Sequence, residues 1–120
     1  MEERDTTSKE FKIIRDSFNY FRKKFGFGHY RSDVALEQTD DKDAMAEILV
    51  DVIGAFCKLR VSPTINSGDS YPMKKYGKHE AVHLLLAPLK KACLTKGATD
   101  EWVQREEEDL VWKLVELLKD

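Results

Sequence analysis

The sequence predicts an all-α fold: a single domain over residues 1–120 that resembles a four-helix bundle. Twelve of the sixteen residues at 44–59 are apolar. The polar exceptions lie on one narrow stripe of a helix: Glu47, Asp51, Gly54 and Lys58. A helix that is apolar on most sides has to be buried by its neighbours. Residues 41–60 are therefore expected to form the central helix.

Three further helices are predicted around it, at about 8–25, 79–94 and 100–119. The first begins with a capping box, Thr7 and Glu10, and has phenylalanine and isoleucine at steps of three and four. Pro88 interrupts the third helix, so a kink or a split into five segments is expected. Residues 61–78 contain several glycines and prolines and are predicted to form a long loop.

Composition limits the class of protein. The hydrophobic fraction of 42% and charged fraction of 35% suit a globular helical domain. No apolar run reaches the ~18 residues of a membrane span, and Met1–Thr6 lacks the apolar core of a signal peptide. A cytoplasmic protein without membrane contact is expected. Cys57 and Cys93 are predicted to be reduced thiols.

Charge alternates in blocks along the chain. Residues 1–31 and 58–96 carry net charges of +3 and +6, whereas residues 32–51 and 97–120 carry −6 and −5. Such blocks can pair across a compact fold, or they can form a bipolar surface that steers a charged partner. Both readings are compatible with the sequence.

Two segments, 21–31 and 71–79, interleave basic and aromatic residues near glycines. That pattern suits phosphate contact and base stacking. The residues predicted to contact a polyanion or another partner are Arg22, Lys23, Lys24, His29, Arg31, Tyr71, Lys74, Lys75, Tyr76 and Lys78. Two observations favour an ordinary surface instead: the pI is near 5.9, and basic residues commonly end helices.

Residues 79–83 read H-E-x-x-H, with His79 and His83 as candidate metal ligands. In zinc proteases this spacing places two imidazoles one helical turn apart, with the glutamate as general base. The residues between the histidines differ from the usual pattern of that family, and no strand is predicted that could bind substrate. A third ligand would have to come from the acidic residues at 101 and 106–109. The alternative is two surface histidines beside a basic loop.

Glu47 and Asp51 form a second candidate metal site, because an i,i+4 pair lies on one face of a helix. The pair is similar to half of the Mg²⁺ site of all-α nucleotide pyrophosphohydrolases of the MazG type. That resemblance covers about a dozen residues and implies further carboxylates on a preceding helix. The alternative is a solvated stripe paired with lysine and arginine from neighbouring helices.

Taken together, these patterns favour a small regulatory module that binds another protein and requires no cofactor. Nothing diagnostic of a phosphate loop, a nucleophile elbow or a cysteine–histidine pair is present, so the sequence leans against an enzyme. The first alternative is a protein that binds nucleic acid or another polyanion. The second is a Mg²⁺-dependent nucleotide hydrolase using Glu47 and Asp51, and a zinc site at His79 and His83 stands beside it. The apolar central run leaves room for a homo-oligomer.

Overall fold

The computed structural model describes residues 3–66 and 68–120 and shows an α+β fold. The helices of these residues are α1 (Ser8–Lys24), α2 (Met73–Thr95) and α3 (Asp100–Leu117). Their strands are β1 (Glu3–Asp5), β2 (Arg31–Leu36), β3 (Ala46–Asp51), β4 (Phe56–Val61) and β5 (Thr64–Asn66). Residues 1, 2 and 67, which belong to the expected domain and loop, lie outside the described residues. No helix in the described ranges is long and apolar enough to cross a membrane.

The predicted all-α four-helix bundle is wrong, because the expected central helix at 41–60 is a β-hairpin. Strands β3 and β4 pair antiparallel across a turn at residues 52–55. The Asp51 side chain accepts a hydrogen bond from the Gly54 amide, and Ala55 has a left-handed φ of 50°. A run that is apolar on both faces can be a buried helix or a buried strand, and the β-branched residues here favour the strand.

Strand β4 is the centre of a three-stranded sheet with the order β2-β4-β3. Its side chains alternate between buried and half-buried, with Cys57, Leu59 and Val61 completely inaccessible. Strand β2 runs parallel to β4. From the sequence, residues 31–36 were predicted only to lie between the helices at 8–25 and 41–60. Strands β1 and β5 form a separate antiparallel pair. Strand β5 lies in the segment predicted to be a long loop, and β1 precedes the first predicted helix.

Strand β3 is an open edge of the three-stranded sheet. The Ser62 amide donates to the Met45 carbonyl at 2.9 Å, directly beyond the Ala46–Val61 pair. Hydrogen-bonded pairs alternate along an antiparallel ladder, so residues 47, 49 and 51 bond to β4. The backbone groups of Ala46, Ile48 and Val50 consequently point away from the sheet.

Helices α1 and α2 cover the sheet and enclose the main core. Helix α1 begins with the capping box of Thr7 and Glu10 and buries Ile14, Phe18 and Phe21. Helix α2 starts six residues before the expected position and continues unbroken through Pro88. Helix α3 packs on α2 through a smaller apolar cluster: Val82, Val111 and Val115.

The alternating charge blocks pair within the fold. Arg60 Nη1 lies 3.2 Å from Asp40 and 3.3 Å from Glu47. Between α2 and α3, Lys75 Nζ lies 3.3 Å from Glu116. At these residues, oppositely charged blocks of the sequence form ion pairs within the fold, which is the first of the two interpretations of the charge pattern.

Replacing Gly77 with alanine tests the close approach of α1 and α2. An added Cβ would lie 2.6 Å from both the Ile14 carbonyl oxygen and the Phe18 nitrogen. Because backbone atoms cannot rotate away, we expect Gly77→Ala to lower the free energy of unfolding by about 1–3 kcal/mol, despite the higher helix propensity of alanine. Gly28→Ala is the matched control, since its nearest contact would be an ordinary 3.7 Å. Urea unfolding that shows equal stability for both variants would contradict this prediction.

Acid titration tests the Arg4–Glu10 pair at the start of α1. The hydrogen bond from Arg4 is the main cause that lowers the pKa of Glu10 from 4.5 to about 2. A lowered pKa in the folded state stabilises the fold above pH 4.5, and this contribution is lost as the pH falls towards 2. Glutamine can keep the capping box, so Glu10→Gln removes chiefly the charge. We expect Glu10→Gln to melt at a lower temperature than wild type at pH 7. Plotted against pH, the melting temperatures of the two proteins should converge near pH 2. Arg4→Gln should show the same pH dependence. A difference in melting temperature between wild type and Glu10→Gln that persists at pH 2 would contradict the prediction.

Candidate metal centre

A groove of about 980 Å³ runs between β3, α2 and α3. The open edge of β3 forms one wall, with Ala46, Ile48 and Val50 among the residues that line it. Helix α2 contributes residues from His79 to its last residue, Thr95. Helix α3 closes the other side with three polar residues: Gln104, Glu107 and Glu108. The groove therefore joins the sheet to the two C-terminal helices.

The residues of the H-E-x-x-H motif meet in this groove. His79 and His83 are four residues apart on α2, so their side chains lie one above the other on the same face. Their ring centroids are 5.0 Å apart. One nitrogen from each ring and one carboxylate oxygen of Glu80 all lie within 4.8 Å of one another. Three potential metal-ligand atoms are thus brought together.

Helix α3 supplies two carboxylates to His83. Its Nδ1 lies 2.8 Å from Glu107 Oε2, and its Nε2 lies 3.2 Å from Glu108 Oε1. The other oxygen of Glu107 lies 3.0 Å from Lys90 Nζ. The acidic run at 106–109, considered from the sequence as a source of a third ligand, does reach this histidine.

Glu80 is buried, with 7% of its surface exposed. Burial is the main cause that raises its pKa to about 8. The charge of His83 and a hydrogen bond from the backbone of Ile48 lower the pKa, whereas nearby carboxylates raise it. This bond from Ile48 comes from the open edge of β3. Glu80 therefore connects the metal-ligand cluster to the edge strand.

His79 lies in an aromatic environment at one end of the groove. Its ring packs against Trp112 with a centroid distance of 4.8 Å, and Trp112 in turn contacts Tyr71. Burial, followed by the charge of His83, lowers the pKa of His79 to about 4. The imidazole is consequently neutral at pH 7, which is the form that binds metals.

The His83–Glu107 pair is held by charge. Burial lowers the pKa of His83, but the hydrogen bond to Glu107 and the neighbouring carboxylates outweigh it, and the pKa is raised. Burial raises the pKa of Glu107, but His83 and Lys90 outweigh it, and the pKa is lowered. Hydrogen bonds between a carboxylate and the far nitrogen of a metal-binding histidine are common around zinc sites.

The other candidate metal pair, Glu47 and Asp51, lies on strand β3 and not on a helix. The helical spacing on which the resemblance to nucleotide pyrophosphohydrolases depended is therefore wrong. Glu47 is paired with Arg60, and Asp51 caps the hairpin turn. Both residues also line the groove described above. Their role as metal ligands stays a prediction.

The predicted polyanion-binding residues are spread over several parts of the fold. Arg22 and Lys78 are buried, with 7% and 6% of their surfaces exposed. Arg22 donates to the carbonyls of Phe27 and Tyr30, and Lys78 contacts Asp120 at 2.9 Å. The remaining members occur on α1, β2, the segments beside them and the start of α2: Lys23, Lys24, His29, Arg31, Tyr71, Lys74, Lys75 and Tyr76. Binding of a polyanion at these residues stays a prediction.

Sequence reasoning missed the strand edge and the individual roles of Glu107 and Glu108. The alternation of apolar and charged residues in 56–61 is a strand signal that could have revealed the hairpin. The acidic run was recognised, but which glutamates reach His83 depends on how α2 and α3 pack. Residue spacing alone does not contain that information.

Zinc titration tests the metal centre. We expect zinc to raise the melting temperature of the wild-type protein, because a ligand that binds only the folded state stabilises it, by about 2.7 kcal/mol at one hundred times its Kd. His79→Ala and His83→Ala should abolish the shift. His29→Ala is the matched control, since His29 is exposed and absent from the cluster of potential ligands. A shift in the His83→Ala protein equal to that of wild type would contradict the assignment.

Comparison with known proteins adds no family to this picture. No family model matches the sequence, and no curated protein or solved structure matches it either. Any function assigned to the chain has to come from the chemistry of its own side chains.

Proposed function

We propose that this protein is a zinc-dependent hydrolase that cleaves peptide bonds in the groove between β3, α2 and α3. The observation that carries the proposal is the convergence of His79, Glu80 and His83, whose potential ligand atoms lie within 4.8 Å of one another. Isolated pairs of surface histidines are common, but here a carboxylate and two imidazoles meet inside a groove. That combination fits the H-E-x-x-H arrangement of metal-dependent peptide hydrolysis.

We assign His79, His83 and Glu108 as the zinc ligands: the two histidines belong to the cluster of potential ligand atoms, and Glu108 would join them by rotation of its half-exposed side chain. Catalytic zinc sites commonly have three protein ligands of the nitrogen and oxygen type, and they leave one position open. Glu108 Oε1 is 3.2 Å from His83 Nε2, and its side chain is half exposed. When bound, the metal would polarise the substrate carbonyl and make water a better nucleophile.

Burial keeps the pKa of Glu80 near 8 in the metal-free protein, so its carboxyl is mostly protonated at pH 7. A cation bound beside it would lower that pKa, and the ionised Glu80 would then act as the general base. Its carboxylate oxygen lies within 4.8 Å of a ring nitrogen of each histidine and is buried beside the groove. In peptide hydrolysis, water oxygen adds to the carbonyl carbon and the carbon–nitrogen bond breaks. Glu80 would take a proton from that water and deliver it to the leaving amine.

The open edge of β3 supports an extended peptide as substrate. The backbone groups of Ala46, Ile48 and Val50 point away from β4 and line the groove. Because Glu80 accepts from the Ile48 amide, an extended chain would hydrogen bond as an added strand to the backbone groups of Ala46 and Val50. Its scissile bond would then lie beside α2, because the Ile48 backbone reaches Glu80. The absence of a strand was a reason to doubt a protease, and the structure contains one at this position.

The binding functions expected from the sequence stay separate predictions. A regulatory module that contacts another protein would use surfaces outside the groove, such as the exposed side chains of Trp102 and Leu110 on α3. No contact in the structure favours one partner for that surface. The metal centre is therefore the function that the geometry supports best.

Replacing Glu80 with glutamine tests the hydrolase. The amide cannot accept the proton from water, so we expect peptide hydrolysis to fall by about 10²–10⁴-fold while zinc remains bound. Activity would be measured on a library of quenched fluorescent peptides, with zinc content determined on the same samples. Glu106→Gln, an exposed neighbour of the acidic run, is the matched control.

Two results would contradict the proposal. The first is zinc-loaded wild-type protein that cleaves no peptide in the library. The second is equal activity of Glu80→Gln and wild type. Removal of zinc with a chelator should abolish hydrolysis, and its return should restore it.

A further inference from the structure

We propose that Glu107 is a positioning residue that orients His83 for metal binding, whereas its neighbour Glu108 is the carboxylate ligand. This inference rests on the proposed metal centre and assigns different roles to two adjacent glutamates. Both contact the same imidazole, but they contact different nitrogens. Their different surroundings separate the two roles.

Both oxygens of Glu107 already have a partner. One lies 2.8 Å from His83 Nδ1, and the other lies 3.0 Å from Lys90 Nζ. The Glu107 side chain is only 10% exposed. A buried carboxylate held at both oxygens has little freedom to turn towards a metal ion. Its position instead fixes the ring next to it.

Glu108 differs in both respects. Its side chain is 50% exposed, and its Oε1 lies 3.2 Å from His83 Nε2. Nε2 is the nitrogen that remains for a metal when Nδ1 donates its proton to Glu107. A metal ion taken up by Nε2 would therefore meet a carboxylate that is already close and free to adjust.

When the His83 ring is neutral, as metal binding requires, its contact with Glu107 decides which nitrogen carries the proton. Neutral imidazole carries its proton on one nitrogen only, and the hydrogen bond made by that nitrogen decides which one. A proton on Nδ1 leaves the Nε2 lone pair available for the metal and fixes the ring orientation. Lys90, seven residues beyond His83, lies on the same side of α2 and holds the far end of Glu107.

Zinc affinity of matched variants tests this division. We expect Glu107→Ala to bind zinc about 10–100-fold more weakly than wild type, as is typical for loss of an outer hydrogen bond to a metal ligand. Glu107→Gln should recover much of that loss, because its amide oxygen still accepts from Nδ1. Glu108→Ala and Glu108→Gln should both bind weakly, because a neutral amide is a poor zinc ligand. Glu106→Ala removes the same charge from α3 outside the cluster and should bind like wild type.

Affinity would be measured by competition with a chromophoric chelator at pH 7.5, after the metal-free melting temperature of each variant is recorded. A merely structural role for Glu107 predicts equal effects of alanine and glutamine, since both remove the ion pair with Lys90. That result would overturn the inference, as would wild-type affinity in Glu107→Ala. A wild-type protein that binds no zinc would overturn the metal centre itself. Loss of zinc in Glu107→Gln together with wild-type affinity in Glu108→Gln would reverse the two roles.

Discussion

The pairing of β3 with β4 is the constraint on which the rest of the groove depends. Strand β4 is bonded on both sides, and its buried residues Leu59 and Val61 anchor it in the main core. Strand β3 therefore has one bonded side and one open side, and the open side lies against α2. This arrangement brings the Ile48 backbone to Glu80 and joins the sheet to α2, the helix that carries His79 and His83.

Several carboxyl groups meet in the groove, and one of them has no close basic partner. Glu47 and Glu107 each have a basic partner, but Glu80 is buried with only a backbone bond and the nearby His83 beside it, and burial keeps it mostly protonated at pH 7 by raising its pKa to about 8. Burying an ionisable group without a close counter-charge costs stability, and protein folds tolerate this mainly at functional sites. A bound cation would supply the missing positive charge. The same carboxylates that weaken the metal-free fold would then stabilise the metal-bound one.

Local patterns predicted the helices better than the strands. The capping box of Thr7 and Glu10 is present, because it depends on residues three positions apart. The run at 44–59 was interpreted as a helix because its apolar residues occupy both faces, and such a run becomes a hairpin only when β2 and the helices are there to cover it. Strand β2 begins with Arg31, Ser32 and Asp33 and shows no apolar alternation; its pairing with β4 is non-local. The H-E-x-x-H motif could be recognised from the sequence, but its contacts with α3 depend on tertiary packing.

The hydrogen bond between the Ile48 backbone and Glu80 has a consequence for how the protein behaves at high concentration. An open strand edge offers unpaired amides and carbonyls to any extended chain, including another copy of the same protein. Glu80 accepts a hydrogen bond from the Ile48 amide at the middle of the edge, so an added strand could bond only at Ala46 and Val50 on either side of it. Continuous edge-to-edge pairing between two copies would have to break this bond, whereas a short extended peptide could bond on either side of it.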